Sequence, residues 1–355
     1  MFTEIHYPEK MSPDELDAYL DRAWFRMGQM IFTCRFLCFG GALYSAIWTR
    51  LDLRNYQFRK SLRKLIKRNN KQFRVLVRRA VFNDEKEMLY QDHKARFEGY
   101  IAETLKESLH GEANYNIYDT WEVCVYDKNR LVAVSFFDIG GNSLASIMGL
   151  FDPAYSKHSL GFYTMLLEIM VGHQNNKAFY YPGYVVPGYQ RFDYKLRIGP
   201  VDFYNNKNNQ WEPYEQLVFD ETPSEDMKHQ LQQFQKVLEK AGIPNKLVLY
   251  PLYDKELYGF ERIRFVRYPL FVSCRHSRSH KNLLIVTFDL DEREYRLSLA
   301  KKIDDALSYL TYILFEGYED NESYLEFLEH KELLLKTADL ELLLTAAKKY
   351  LKRVK

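Results

Sequence analysis

The chain has 355 residues, 46% hydrophobic and 28% charged, enough to bury a substantial core; two domains, or one large domain with an appendage, are expected. Four cysteines, no leading apolar segment of signal type and no run of about 18 apolar residues argue against a disulfide scaffold and a helical membrane span. A soluble cytoplasmic protein with no membrane partner is therefore expected. The net charge of +2 hides an uneven distribution, because Arg54 to Arg79 holds eleven Lys and Arg and no acidic residue.

In chain order, Ser12-Pro13-Asp14-Glu15 has the form of a helix start, with a hydroxyl cap, Pro in the first turn and Glu three residues after Ser. A helix to about Met27 is predicted, with Leu16, Tyr19, Leu20, Ala23, Trp24 and Met27 on one stripe. Residues 31–53 read as irregular strands around Gly40-Gly41, 57–68 as a helix, 73–79 as a short strand and 84–109 as a helix pair. After Gly111 the pattern turns to strands: TWEVCVYDKN, RLVAVSFFDIGG and NSLASIMGLFDP predict an antiparallel run turned at Lys128-Asn129 and Gly140-Gly141-Asn142. A helix opened by Ser159 follows, then a strand through KAFYYPGYVV.

That order resembles the core of N-acyltransferases of the GNAT type. The expected fold class is α+β, a GNAT-like mixed sheet flanked by helices. Residues 220–228 read as a linker and 226–241 as a short amphipathic helix. Four strand-like runs from Lys246 to Leu299 predict a small sheet, and the Leu-dense tail from Lys301 predicts helices. The expected domains are 1–110, an N-terminal lobe with the basic helix, 111–219, a transferase-like core, and 220–355, a C-terminal extension.

Three segments could carry chemistry. On a helix, Arg59, Arg63 and Lys67, with Lys60, Lys64 and Arg68, fall into adjacent rows of repelling like charges. They form either a solvated face or a surface for phosphates. In DPAYSKHSLG, residues 152–161, the helix start at Ser159, Leu160 and Gly161 presents backbone N–H groups to an anion or oxyanion, or is simply a capped helix. In YYPGYVVPGYQRFDYK, residues 180–195, Tyr184, Tyr189 and Tyr194 are either stacking platforms for a nucleobase, with Lys195 facing a phosphate, or an aromatic core strand. Cys34 and Cys38 read as buried thiols rather than a closed metal site, and Cys274 with His276 and His280 forms a weaker cluster.

In this order the segments resemble the aminoacyl-tRNA-protein transferases, the arginyltransferases and their bacterial leucyltransferase relatives. Tyr56–Asn69 is similar to the family stretch F-R-P-S-K-S-Q-R-R-x-x-R-R-N at Lys60, Ser61, Arg63, Arg68 and Asn69. Arg96 sits where the family has Y-x-x-Y-x-x-x-R-H, and Asp152–Gly161 resembles D-P-x-x-x-x-x-S-L-G, with Tyr163 following. The aromatic segment resembles Y-L-G-Y-x-V-x-G-S-x-K-M-D-Y-K at Tyr181, Gly183, Tyr184, Gly188, Asp193, Tyr194 and Lys195, whereas Pro182, Tyr189, Arg191 and Phe192 depart from it. The resemblance covers roughly residues 12–215. The family's C-x-x-C motif, linked to a metal, has only Cys34 and Cys38 at a different spacing to answer it, so neither a metal nor another cofactor is expected.

The resemblance implies transfer of Arg or Leu from aminoacyl-tRNA to the N-terminal amine of an acceptor protein with an acidic first residue, in the N-degron pathway. It implies that Ser159, Leu160 and Gly161 hold the ester, that Asp152 or Asp193 orients the amine, and that Leu160, Tyr163, Tyr184, Tyr194 and Lys195 line an aminoacyl-adenosine pocket. Arg59, Lys60, Arg63, Lys64, Lys67 and Arg68 would hold the tRNA, and Arg96 and Arg191 the acceptor's carboxylate. A CoA-dependent N-acyltransferase and a non-catalytic tRNA-binding adaptor remain alternatives.

Overall fold

The computed structural model describes residues 2–96, 101–111, 113, 115–253, 265–274, 282–303, 318 and 322–351. His276 and His280 lie outside the described residues. The chain opens with β1 (Thr3–His6), α1 (Pro13–Leu20), β2 (Phe25–Met27), β3 (Met30–Cys34), β4 (Phe36–Phe39), β5 (Ala42–Ser45) and β6 (Ile47–Asp52). It continues through α2 (Lys60–Asn70), β7 (Arg74–Arg79), α3 (Asp84–Lys94), α4 (Leu105–His110), β8 (Thr120–Asp127), β9 (Arg130–Ile139), β10 (Ser143–Phe151), α5 (Leu160–Gln174) and β11 (Phe179–Val185). Then come β12 (Asp202–Asn205), β13 (Gln210–Pro213), α6 (Pro223–Lys240), β14 (Asn245–Leu249), β15 (Leu270–Cys274), β16 (Asn282–Asp289), β17 (Glu294–Lys302), β18 (Leu328–Thr337) and α7 (Leu340–Leu351).

Two compact units form, one from residues 4–33 and 46–217, the other from 1–3, 34–45 and 218–355. The first is built on an eight-stranded mixed sheet, order β13-β12-β6-β11-β10-β9-β8-β7. As the turn residues predict, β8, β9 and β10 pair antiparallel, with Lys128 at φ +56°. From β10 the chain passes through a 3-10 turn, Pro153–His158, into α5, and returns as β11 parallel to β10. The expected order of strands, helix and strand is present, and the fold is α+β. Leu160, Tyr163, Leu166 and Ile169 of α5 are fully buried and share one cluster with Val123, Val132 and Phe137 of the sheet and Leu62 of α2.

In α1 the capping box is complete, since Glu15 N–H donates to Ser12 Oγ at 3.3 Å and Ser12 N–H to Glu15 Oε2 at 2.8 Å. The helix stops at Leu20, not near Met27. Ala23 takes a left-handed φ of +61°, and Phe25–Met27 pairs as a strand with Met30–Phe32. Phe25 stacks on Trp48 at 4.1 Å and Arg26 reaches Asp138 at 2.8 Å, so tertiary partners overrule the helical stripe.

The other unit carries an antiparallel meander, β14-β15-β16-β17-β18, with the β4–β5 hairpin forming a separate two-stranded pair. Met227, Leu231, Phe234 and Leu238 of α6 and Leu343 and Ala347 of α7 share a core with Phe271, Val286 and Phe36. Here α6 begins at Pro223, inside the stretch expected to be a linker, because Pro suits a first helical turn and Thr222 precedes it. The tail is also not purely helical. Leu328–Thr337, composed largely of good helix formers, is instead a strand paired with β17 along its length. Among the described residues no helix is long and apolar enough to cross a membrane.

Candidate active site

The site is built where two parallel strands stop pairing. β10 and β11 are in register at Ser143–Phe179, Leu144–Tyr180 and Ala145–Tyr181, and their pairing ends there. At that level both strands shift register against their outer neighbours, β10 between Ser146 and Met148, β11 between Tyr180 and Gly183. Pro182 has no N–H for a ladder, and Gly183 takes φ +89°, a conformation open to glycine. Irregularities of this kind bend strands and re-aim their side chains, and here they open a wedge between the later halves of β10 and β11.

Glu168 lies at the apex. It comes from α5, is fully buried, and is the only Asp, Glu, Lys or Arg in that helix. Tyr180 Oη donates to its Oε2 at 2.7 Å, while Oε1 has no hydrogen-bond partner among the described residues. Burial pushes the carboxyl up to about 7, with the hydroxyls of Ser135, Tyr180 and Ser146 pulling the other way. Tyr194 follows from the 3-10 segment Gln190–Ile198; its ring is 39% exposed, yet desolvation of its phenol, and then the charge of Glu168, raise its pKa against the pull of Arg191.

Beyond Tyr194, which feels the charge of Arg191, lies a cationic group. Burial first, then the charges of Arg96 and Arg191, lower the pKa of His93 on α3, so both arginines act electrostatically on one imidazole. Arg96 donates through Nε to Asp92 O at 2.9 Å, and its guanidinium lies 5.9 Å from the Phe151 ring centre. The same ring lies so close to Gly161 that a Cβ there would sit 3.1 Å from it. Arg96 is thereby linked through Phe151 to the start of α5.

Leu160, Gly161 and Phe162 head α5, and the amides of a first turn lack intrahelical acceptors. Ser159 is exposed with φ +53° and makes no side-chain cap; its N–H donates to Ser156 O at 3.0 Å. The side chains of Leu160 and Tyr163 are fully buried in the core. Tyr163 donates to Asn70 Oδ1, and burial pushes its phenol up to about 12. Asp152 has both oxygens engaged, Oδ1 accepting from Ala154 N–H at 2.9 Å and Oδ2 pairing with Arg130 at 2.5 Å, so it caps the turn leading to α5. Asp193 is exposed on the 3-10 segment.

Lys195 is half-buried and donates to Tyr184 O at 2.9 Å, with its Nζ 5.2 and 5.5 Å from the ring centres of Tyr184 and Phe192. Desolvation brings its pKa down to about 8. Tyr184 stands edge-on to Trp48 at 5.2 Å.

The six basic residues of the helical segment, Arg59, Lys60, Arg63, Lys64, Lys67 and Arg68, are all exposed, and none is in an ion pair among the described residues. The last turn of α2 is tied to the loop before α5. Asn69, fully buried, donates to His158 O at 2.9 Å, and Arg68 approaches Lys157 O and His158 O at 3.4 Å. At the first turn, Arg59 donates to Arg197 O at 3.0 Å, and the Arg197 guanidinium lies 4.8 Å from the Phe162 ring centre. Cys34 is buried and Cys38 half-buried; no group of three or more metal-ligating side chains occurs among the described residues.

Sequence reasoning missed Glu168, Tyr180 and His93. For Glu168 the signal was present, as one carboxylate in the otherwise apolar run LGFYTMLLEIMVGHQ. A charge on a helix apolar all round must be buried, and burying it is costly.

Residues 76–205 match the family model described as "Arginine-tRNA-protein transferase, C terminus". The chain is similar to an aspartate/glutamate leucyltransferase of Leptospira interrogans, 22% identical over 212 residues, covering 58% of this chain and 80% of the relative. It is also similar to one of Campylobacter jejuni, 28% identical over 203 residues, covering 56% of this chain and 82% of the relative. Among solved structures, the C-terminal domain of a putative lysylphosphatidylglycerol synthetase from Agrobacterium fabrum aligns with a TM-score of 0.34 at 9% identity, over 47% of this chain and 58% of that one. A GCN5-related N-acetyltransferase from Anabaena variabilis aligns with a TM-score of 0.25 at 9% identity, over 60% of this chain and 58% of that one.

The α+β core has transferases as its sequence relatives. Residues 76–205 are similar to the arginine-tRNA-protein transferase family model, and that match contains the wedge, Glu168 and the 3-10 segment bearing Arg191, Tyr194 and Lys195.

Proposed function

We propose that this protein transfers an amino acid, Arg or Leu, from aminoacyl-tRNA to the N-terminal amine of an acceptor protein whose first residue is acidic, the product being an N-degron. The observation that carries this reading is the exposed, acid-free basic face of α2, tied at its last turn to the loop that heads α5. A polyanion lying along α2 would be led to the amides of Leu160 and Gly161 and to the wedge beyond them.

In this reading Arg59, Lys60, Arg63, Lys64, Lys67 and Arg68 hold the acceptor arm of the tRNA. Tyr184 and Tyr194 flank the terminal adenosine, and Lys195 meets its phosphate. The amides of Leu160 and Gly161 receive the ester's carbonyl oxygen as it gains charge. Arg96 and Arg191 take the carboxylate of the acceptor's first side chain. Asp193, exposed on the same segment, steadies the incoming amine, while Asp152 holds the turn that aims α5. The ester is already activated, so positioning and charge stabilisation supply most of the acceleration.

The test is transfer of labelled Arg and Leu from charged tRNA to peptides beginning with Asp, Glu, Lys or Ala. RNase-sensitive labelling of the Asp and Glu peptides is expected. Charged tRNA that binds without labelling any peptide would replace the enzyme with a tRNA-binding adaptor.

A further inference from the structure

Resting on the transfer reaction just described, we propose that Glu168 is its general base, taking a proton through Oε1 from the acceptor's α-ammonium as that nitrogen attacks the aminoacyl ester. Four observations converge on Oε1. Glu168 is the lone carboxylate of a helix otherwise without Asp, Glu, Lys or Arg, and it is fully buried. Tyr180 donates to Oε2 at 2.7 Å and fixes the carboxyl, while Oε1 makes no hydrogen bond of good geometry, although the hydroxyls of Ser135 and Ser146 lie near enough to help hold the carboxyl's pKa down. The carboxyl lies at the strand level where β10 and β11 cease to pair, beside Tyr180 of the last paired stretch and Ser146 just beyond it. Tyr194 feels the charges of both Glu168 and Arg191, so one aromatic side chain separates this carboxyl from the cationic group.

An acceptor whose first residue is Asp or Glu carries its carboxylate and its ammonium on one short residue. With the carboxylate on Arg96 and Arg191, the ammonium turns towards Glu168. The groups facing Glu168 are Ser135 from β9, Ser146 from β10, Tyr180 from β11 and Tyr194 from the 3-10 segment, with Arg191 behind Tyr194. None is a close cation that would hold Glu168 permanently ionised. An α-ammonium titrates near 7.7 to 8.0, and a buried carboxyl brought to about 7 is a matched acceptor for its proton.

The step balances. Oε1 takes one ammonium proton, and the freed nitrogen lone pair forms the C–N bond while the carbonyl π pair moves onto oxygen. When that pair returns, the bond to the ribose oxygen of the tRNA breaks. A second nitrogen proton passes to that oxygen, restoring the tRNA hydroxyl, and Glu168 releases its proton to solvent.

The experiment compares single-turnover transfer by the full chain, E168Q and E168D. One acceptor is an Asp-initial peptide; the other is the same peptide with an aminooxy group, neutral near pH 7, in place of its α-amine. With the ordinary peptide, E168Q should be slowed by about 100-fold or more and should lose the rise in rate that the unaltered chain shows through about pH 7. E168D should keep part of the rate, and the aminooxy acceptor should restore most of the E168Q rate with charged-tRNA affinity unchanged. If E168Q keeps full speed, Glu168 is not the base. A slow rate unrelieved by the aminooxy acceptor, accompanied by weakened charged-tRNA binding, overturns the proposal in favour of a counter-ion for the donor's ammonium. If the unaltered chain labels neither acceptor, the transfer reading itself fails, and this step with it.

Discussion

Replacing Glu168 by Gln should stabilise the protein at alkaline pH, and by an amount that depends on pH in a calculable way. The Glu168 carboxyl is raised from 4.5 to about 7 in the folded chain. Below pH 4.5 the group is protonated whether the chain is folded or not, and its raised pKa costs nothing. As pH rises from there to about 7, the unfolded chain gives up its proton while the folded one keeps it, so stability falls. Above about 7 the loss is complete. At 1.36 kcal/mol per pKa unit the full loss is on the order of 3 kcal/mol, most of it developing between pH 5 and pH 8. Gln cannot ionise and escapes this loss. Urea denaturation at the two pH values should show the difference in stability between E168Q and the unaltered chain moving in favour of Gln by that amount. The packing difference between Glu and Gln is the same at both pH values and cancels. A difference that stays flat within about 0.5 kcal/mol would refute the buried, proton-binding carboxyl.

Two further outcomes are expected. Arg63→Ala with Lys67→Ala removes two exposed charges from α2; it should leave the thermal midpoint unchanged and lower the slope of log affinity for tRNA against log salt by about 2, at roughly 0.7 to 0.9 per phosphate contact, as measured by filter binding. Lys86 and Glu122, both fully buried, meet at 2.6 Å, and Arg78 joins Glu122 at 2.8 Å, so Lys86→Met should cost about 3 to 5 kcal/mol in urea denaturation, with Glu122→Gln recovering part of it in the double variant; a single-variant loss below about 1 kcal/mol would show that the pair is not desolvated.

The sequence by itself determined what nearest neighbours along the chain decide. The start of α1 is written in Ser12, Pro13 and Glu15, the turns of the β8–β10 run in Lys128-Asn129 and Gly140-Gly141-Asn142, and the basic face of α2 in its spacing, because caps, turns and helical rows depend on residues at most a few positions apart. Tertiary structure decided the rest. Phe25–Met27 continues a helical stripe and Leu328–Thr337 is made largely of helix formers, yet each is a strand, since a partner distant in sequence or a sheet edge outweighs tenths of a kcal/mol of propensity. The same holds for the site. Arg96 and Arg191 are far apart in sequence, and their charges bear on the same His93 only after the chain has folded. Glu168 stands out in the sequence as the one carboxylate of an apolar run, yet it becomes a carboxyl near neutrality only when α5 closes over β9, β10 and β11, because desolvation is a property of the surroundings that folding brings together.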